Sequence, residues 1–508
     1  MDPMIGVSRS DMLAGLERDG LDPGTLDAGT NLLLHVVYDY LPDPPVSPTA
    51  PLSLAGASWV PDGVDRISCL PDVVLRDIIS RLPAKDAART AALASRWRPL
   101  WRSVPLTLVD SHLLPDGGAR GQLVIGAPSP RAVTAAVSRV LAAHPGPFRC
   151  VHLTRTTMEE HRGEMSRWLD ILVAKGVHCS TLTRLYLGVW RLPDTAAVPR
   201  GARFPNLKEL GLCFCVMEDR DLAFMLERSP VLEFLVLMGS QTGVRLRLVS
   251  QSLRCLQLGF TCLEDIEVVD APRLERLFQR DTDDASLTWR RSMSRIKIGR
   301  APNLRVLGYL QPGEQELGIG NTVIVAGTKG SIVPSVQILA IEVQFGVRNA
   351  VKKVPGFLRC FPNLETLHVQ SSVDEEPTGK VNIKFWQEGG PIKCVVQSMK
   401  KVFFYEFRGS RSEVVFLKFL AERGRVLEQM VVVVASECFS SGSGYVNAKL
   451  KPLISAKWSS KGCKLQLFKS PAGEGSGPAY SHELASDFGF PDPFDLKYYY
   501  KAERIPVS

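Results

Sequence analysis

The frame Leu-x-x-Leu-x-Leu recurs along the middle of this 508-residue chain and limits what it can fold into. It stands as Leu182, Leu185, Leu187; Leu207, Leu210, Leu212; Leu232, Leu235, Leu237; and Leu253, Leu256, Leu258. Looser copies follow at Leu274/Leu277, Leu304/Leu307/Tyr309, Val336/Leu339/Ile341 and Leu364/Leu367/Val369. First positions are 25, 25, 21, 21, 30, 32 and 28 residues apart, at or slightly above the period of about 20–29 residues of leucine-rich solenoids. The alternating last two positions suit a short strand with one face inward. Several units are entered through Phe204-Pro205, Ser229-Pro230, Ala271-Pro272, Ala301-Pro302 or Phe361-Pro362, where proline ends one segment and favours extended backbone. Asp221 to Arg228 has the length and apolar spacing of a helix on the convex side, and another helix is expected around 164–175. The fold class is therefore α/β, a solenoid of short parallel strands with convex helices over 148–370.

The solenoid is flanked by two different segments. In residues 65–105, Leu75, Ile78, Ile79 and Leu82 fall at i, i+3, i+4 and i+7 and make one helical stripe. Pro71 and Asp72 suit a first helical turn and Pro83 stops the helix. A second helix is expected at about 85–97, then an apolar continuation through Leu93, Trp97, Leu100 and Trp101 with a break at Pro99. Some forty residues cannot by themselves enclose two tryptophans and this stripe, so the module needs a partner surface. After the repeats, a strand at 399–407 leads into Ser410 and Glu413, spaced as a capping box. A helix at 412–423 presenting Val415, Phe416, Phe419 and Leu420, then an apolar strand at 430–435, complete a strand-helix-strand cap within 395–470. Residues 106–147 read as a linker with a helix, 371–394 as a connecting loop and 471–508 as a tail.

Charge is unevenly placed. Residues 1–65 carry ten Asp/Glu against Arg9 and Arg18, a net of −8 that leaves +16 for the rest of a chain whose total is +8. Residues 1–64, with one short helix at about 30–41 and a Pro/Ser/Ala/Gly stretch to Gly63, read as a flexible acidic arm. The cations beyond it are dispersed without the aromatic interleaving of a nucleic-acid surface, so no nucleic-acid partner is expected. Eleven cysteines without a Cys-x-x-Cys pair imply reduced thiols in cytoplasm or nucleus. No apolar run is long enough for a membrane span, so no membrane partner is expected.

Three stretches resemble a known family. Asp65-Arg-Ile-Ser-Cys-Leu-Pro-Asp, Leu82-Pro-Ala-Lys and Ser95-Arg-Trp-Arg-Pro-Leu-Trp resemble the plant F-box. Phe407-Arg-Gly-Ser-Arg-Ser-Glu, Phe416-Leu-Lys-Phe-Leu and Val426-Leu-Glu-Gln-Met are similar to the FBD domain that ends one plant branch. With the repeats, the resemblance to F-box/FBD/leucine-rich-repeat proteins spans about residues 65–470. It implies the substrate-recognition subunit of an SCF-type (Skp-cullin-F-box) ubiquitin ligase. Its F-box would dock on a Skp-family adaptor, and through it a cullin, while the repeats bind a protein substrate for ubiquitin-dependent degradation. It implies no catalytic residue, cofactor or metal.

Matching the motif residue by residue assigns adaptor contact to Leu70, Pro71, Leu75, Ile78, Ile79, Leu82, Pro83, Leu93, Trp97, Leu100 and Trp101. For the two tryptophans the alternative is packing against the first repeat. For the whole chain the alternative is a non-degradative binding scaffold. Specificity would lie in exposed positions of the repeats such as Arg184, Tyr186, Lys208, Gln257 and His368. One departure stands out: Ala174-Lys-Gly-Val-His-Cys runs straight into Ser180-Thr-Leu, where similar proteins carry another strand unit, which would leave neighbouring repeats mispaired.

Catalytic and ligand motifs fail on spacing. Gly327-Thr-Lys lacks the first glycine of a phosphate loop, and Glu159-Glu160-His161 lacks the leading histidine of a zinc helix. Cys213-x-Cys215 has no second pair, and Ser443 has no strand-turn-helix setting.

Overall fold

Strands that each carry one apolar row can hide it only by stacking side by side, and the chain does this from Leu106 onward. The computed structural model describes residues 45–46, 64–113, 130–144, 147–154, 168, 181–188, 192, 203–239, 244–259, 265–280, 295–312, 316–319, 322–324, 332–372, 379, 383–439, 443–470, 485–495 and 503–505. Nearly all of the acidic arm, its helix, most of the 164–175 helix and residues 159–161 and 327–329 lie outside the described residues. Contacts divide the chain into two units, Met1–Thr242 and Gly243–Ser508.

Among the described residues, the first unit opens with three helices, α1 (Asp72–Ser80), α2 (Ala84–Thr90) and α3 (Trp97–Ser103). There follow β1 (Leu106–Val109), α4 (Pro130–Ala143), β2 (Phe148–Leu153), β3 (Arg184–Gly188), β4 (Glu209–Cys213), α5 (Asp219–Arg228) and β5 (Phe234–Met238). The strands β1 to β5 pair in sequence order, all parallel. Their register aligns Leu185, Leu210 and Leu235, and next to them Leu187, Leu212 and Leu237, so the repeat leucines stack in continuous inward rows.

Three expectations change here. The linker 106–147 is a repeat in its own right, supplying β1 and α4 to the sheet. Pro99 does not break the chain but sits third in α3, in the first turn, where a missing N–H costs no helical bond. Among the described residues the gap before Ser180 does not break the ladder, because β2 pairs directly with β3 from Cys150↔Arg184 to Leu153↔Leu187.

The second unit contains β6 (Leu246–Val249), β7 (Cys255–Gly259), β8 (Asp265–Asp270), β9 (Arg276–Arg280), β10 (Arg295–Arg300), β11 (Val306–Leu310), β12 (Glu316–Ile319) and β13 (Thr322–Ile324). It continues with β14 (Ile338–Val343), α6 (Arg348–Arg359), β15 (Thr366–Ser371), α7 (Ile383–Glu388), α8 (Lys393–Gln397) and β16 (Lys401–Phe407). It ends with α9 (Arg411–Arg423), β17 (Gln429–Val434), α10 (Ser443–Ile454), β18 (Lys464–Lys469) and β19 (Glu503–Ile505). One sheet runs β7-β9-β11-β14-β15-β16-β17-β18-β19, parallel except for its last strand. Each of the eight repeats read from the sequence supplies one strand: β3, β4, β5, β7, β9, β11, β14 and β15.

A second sheet, β13-β12-β10-β8-β6, stands where convex helices were expected. Its strands alternate with period two: Ile266 and Val268, and Ile296 and Ile298, are buried, while Glu267 meets Lys297 at 2.7 Å on the other side. That alternation of branched and charged residues suits a half-buried strand and cannot give a helical stripe. The cap 395–470 is not a separate body either, since β16, β17 and β18 extend the same parallel ladder from β15. Its helix α9 starts at the expected capping box: Ser410 Oγ accepts from the Glu413 N–H at 3.3 Å and Glu413 Oε2 from the Ser410 N–H at 2.6 Å. Ser410→Ala is expected to cost about 0.5–2 kcal/mol by chemical denaturation, the range for lost helix caps. Two other segments differ from expectation. The connecting loop carries α7, with Trp386 buried, and the tail folds at 485–495 and pairs through β19.

Candidate functional site

The helical module 65–105 is tied together by the residue before its first tryptophan. Arg96 donates to the carbonyl oxygens of Ser68 and Leu70 (2.9 Å) and to Asp72 Oδ1 at 2.6 Å, clamping the entry segment onto α1. Trp97 Nε1 donates to Ser68 Oγ at 2.8 Å, and the Ser68 N–H to Asp65 Oδ1 at 2.8 Å. The Ser68 hydroxyl and N–H hold the Asp65 carboxyl below its ordinary range. Sequence reading took Trp97 as a contact residue and missed Arg96. An arginine abutting a tryptophan, with Asp65 and Asp72 upstream, was the available signal.

Burial sorts the eleven expected contact residues. Leu75, Ile79, Pro83, Trp97 and Leu100 are buried within the chain itself, Leu75 and Ile79 at 0% exposure. Trp101 is half-buried and stacks on His144, at the end of α4, with centroids 5.3 Å apart. The second tryptophan thus packs on the first repeat, and the surface that completes the module is the chain's own next segment. Leu70 and Leu82 are half-buried, while Pro71, Ile78 and Leu93 are exposed. Around these last three lie residues the motif did not point to: Ile67, Val73 and Val74, 58%, 74% and 42% exposed. Val73 and Val74 lie on the side of α1 away from Leu75 and Ile79, and Ile78, 36% exposed, borders the two sides. With Val64, six of the eleven exposed large hydrophobics among the described residues fall between 64 and 93, so apolar exposure concentrates on this one module.

The other candidate surface is the face of the second unit's parallel sheet opposite the leucine rows. There the register lines up Gln257, Phe278 and Gly308, then Ala340, His368 and Phe403. Residues 485–495 lie on this face. His368 Nε2 meets Asp492 Oδ2 at 3.0 Å, its Nδ1 meets the Tyr405 hydroxyl at 3.1 Å, and that hydroxyl donates to the Phe494 carbonyl. Burial pushes the Asp492 carboxyl up, but the adjacent His368, its hydrogen bond and the Phe494 N–H outweigh this and hold it below the ordinary range. Of the expected exposed specificity positions, Lys208 is exposed and Arg184 partly so. Tyr186, Gln257 and His368 are 2% exposed or less. Tyr186 is taken up by its bond to Glu209 Oε2 at 2.5 Å and His368 by the C-terminal segment.

Cys213 and Cys215 are buried, and burial raises the Cys213 thiol well above its ordinary pKa. No cluster of three or more His, Cys, Asp or Glu that could hold a metal ion occurs among the described residues. Ser443 begins α10 rather than a nucleophile turn. No helix among the described residues is long and apolar enough to cross a membrane.

The fold and the module define an F-box protein built on a leucine-rich solenoid. The F-box domain model matches residues 67–108, the model for the LRR repeats of FBD-associated F-box protein At5g56370 matches 161–369, and the FBD model matches 387–432. The chain thus matches F-box, LRR and FBD models in that order, and its homologues include F-box/FBD/LRR-repeat proteins of Arabidopsis thaliana. It is similar to FBD-associated F-box protein At5g60610 of Arabidopsis thaliana, 25% identical over 72% of this chain and 98% of that protein. It is also similar to F-box/FBD/LRR-repeat protein At1g13570 of the same plant, 24% identical over 72% of this chain and 91% of that one. F-box/LRR-repeat protein 13, again from Arabidopsis thaliana, is 24% identical over 73% and 90%.

Proposed function

We propose that this chain is the substrate-recognition subunit of an SCF-type ubiquitin ligase. Its F-box docks on a Skp-family adaptor and thereby a cullin, its solenoid holds a protein substrate, and ubiquitin transfer takes place on other subunits. The supporting observation is the concentration of exposed Ile67, Pro71, Val73, Val74, Ile78 and Leu93 on a module whose own core is already filled by Leu75, Ile79, Trp97 and Leu100. An apolar patch on an otherwise complete module is the usual mark of a protein interface. The protein would contribute proximity, raising the substrate's effective concentration at the charged enzyme. The nine described cysteines are free thiols, in keeping with a role in the cytoplasm, the nucleus or both.

The test is co-purification with a Skp-family adaptor. Val73→Asp with Ile78→Asp places two charges in the patch without touching the module's core. Adaptor affinity is expected to fall at least about 30-fold, since each lost anchor is typically worth ~1–2 kcal/mol or more, with the thermal transition unchanged. Undiminished binding by a folded double variant would overturn the assignment.

A further inference from the structure

The face of the second unit's sheet is covered by a segment that forms no part of that sheet. Among the described residues, no ladder joins 485–495 to β7, β9, β11, β14, β15 or β16, and these strands complete their pairing with one another. The segment is instead held as a peptide ligand would be, by side chains that meet its backbone and seat its aromatic rings. Arg276, on β9, donates to the carbonyl of Ala485 at 2.8 Å, to that of Asp487 at 3.1 Å and to that of Phe490. The Phe488 ring lies under two guanidinium groups, with Arg254 at 3.7 Å and Arg276 at 4.6 Å from its centroid. Phe494 is fully buried and meets Phe278 and Tyr309 edge-on at 5.5 and 5.2 Å and His368 at 5.3 Å. Gly308 makes room for it: a Cβ there would stand 2.7 Å from Phe494 Cζ. Asp492 closes the set on His368, which is stacked on Phe403 at 4.6 Å.

The segment is also folded on itself rather than on the sheet. The Gly489 N–H donates to Asp487 Oδ1 at 2.8 Å and the Phe494 N–H to Asp492 Oδ1 at 3.0 Å, so its turns are local. Asp487-Phe-Gly-Phe-Pro-Asp-Pro-Phe494 is therefore a short sequence in which the Phe488 and Phe494 rings, the Asp492 carboxylate and three backbone carbonyls have a matched receptor on the strand face. Cation-over-ring contacts, a buried aromatic and charge-assisted bonds are what hold peptide anchors in protein interfaces.

We propose that residues 485–495 are an internal occupant of the substrate face of strands β7, β9, β11, β14, β15 and β16, and that this face takes substrate peptides of the same chemistry, two phenylalanines spaced as Phe488 and Phe494 with an aspartate placed as Asp492 between them. The proposal rests on the reading of the solenoid as a substrate receptor. An incoming substrate displaces the segment, which as part of the same chain competes at a high effective concentration. Receptor occupancy is thus set by how much better a substrate fits than the chain's own copy.

The probe is a fluorescent peptide of residues 484–496, followed by anisotropy on the full chain without adaptor or ligase, so adaptor docking can fail without affecting the result. Phe488→Ala with Phe494→Ala weakens the internal copy and leaves the face intact. The double variant is expected to bind the peptide at least about ten-fold tighter than the unaltered chain. Adding Arg276→Ala should abolish that gain, and a probe with its own Asp492 and Phe494 positions changed to Ala should bind neither protein. A folded double variant that binds no better than the unaltered chain overturns the proposal. So does a double variant that fails to fold, together with failure of the milder Asp492→Asn, because the segment would then be part of the folding core.

Discussion

Trp97→Ala is expected to destabilise the F-box by about 3–5 kcal/mol, the usual cost of emptying a buried tryptophan site. The indole is 2% exposed, and its Nε1 donates to Ser68 Oγ, which the entry segment needs for its turn onto Asp65. Removing it opens a cavity and frees the strap that Arg96 clamps from the other side. For a module of some forty residues the loss is a large part of what holds it folded. Hydrogen exchange over residues 65–105 should rise to that of an unfolded segment, and adaptor binding should vanish with it. A polar change at Ile78 should instead remove binding while exchange stays slow. Loss of binding by Trp97→Ala with full exchange protection would mean the indole touches the adaptor directly and that its burial is dispensable.

That contrast marks where the sequence was informative and where it was not. Spacing placed all eight repeat strands, because a leucine row that must stack has one solution per period, and Ser410 with Glu413 placed the start of α9 to within one residue. The α1 stripe named the apolar positions but not which of them look inward. A helix with apolar residues at 73, 74, 75, 78 and 79 has two greasy sides, and only the packing of α2 and α3 decides between them. The second sheet was missed because its strands fall between recognised repeats, where a helix was assumed by analogy with α5. Residues 485–495 were missed for a different reason. Gly, Pro, Asp and Phe without periodicity give no element signal, and their fold is set by Arg254, Arg276 and His368, more than a hundred residues earlier.

Phe416→Ala is expected to cost about 3–5 kcal/mol and to weaken more than the FBD region that contains it. The ring is fully buried on α9 and meets Trp386 at 5.1 Å, Phe345 at 5.6 Å and Phe404 at 6.5 Å between centroids. Those partners come from α7, from the turn after β14 and from β16, so this one side chain joins the last repeats to the terminal strands. Since β15, β16 and β17 share one parallel ladder, each layer's stability depends on its neighbour's. In a solenoid, losing one interface lowers the cooperativity of the layers on both sides. Chemical denaturation of the variant should therefore shift the whole transition of residues 243–508 to lower denaturant, and limited proteolysis should open both the 372–400 region and the strands before it. A variant in which only the FBD segment melts, with the preceding repeats keeping their original midpoint, would show the FBD to be an independent domain appended to the solenoid rather than its final layers.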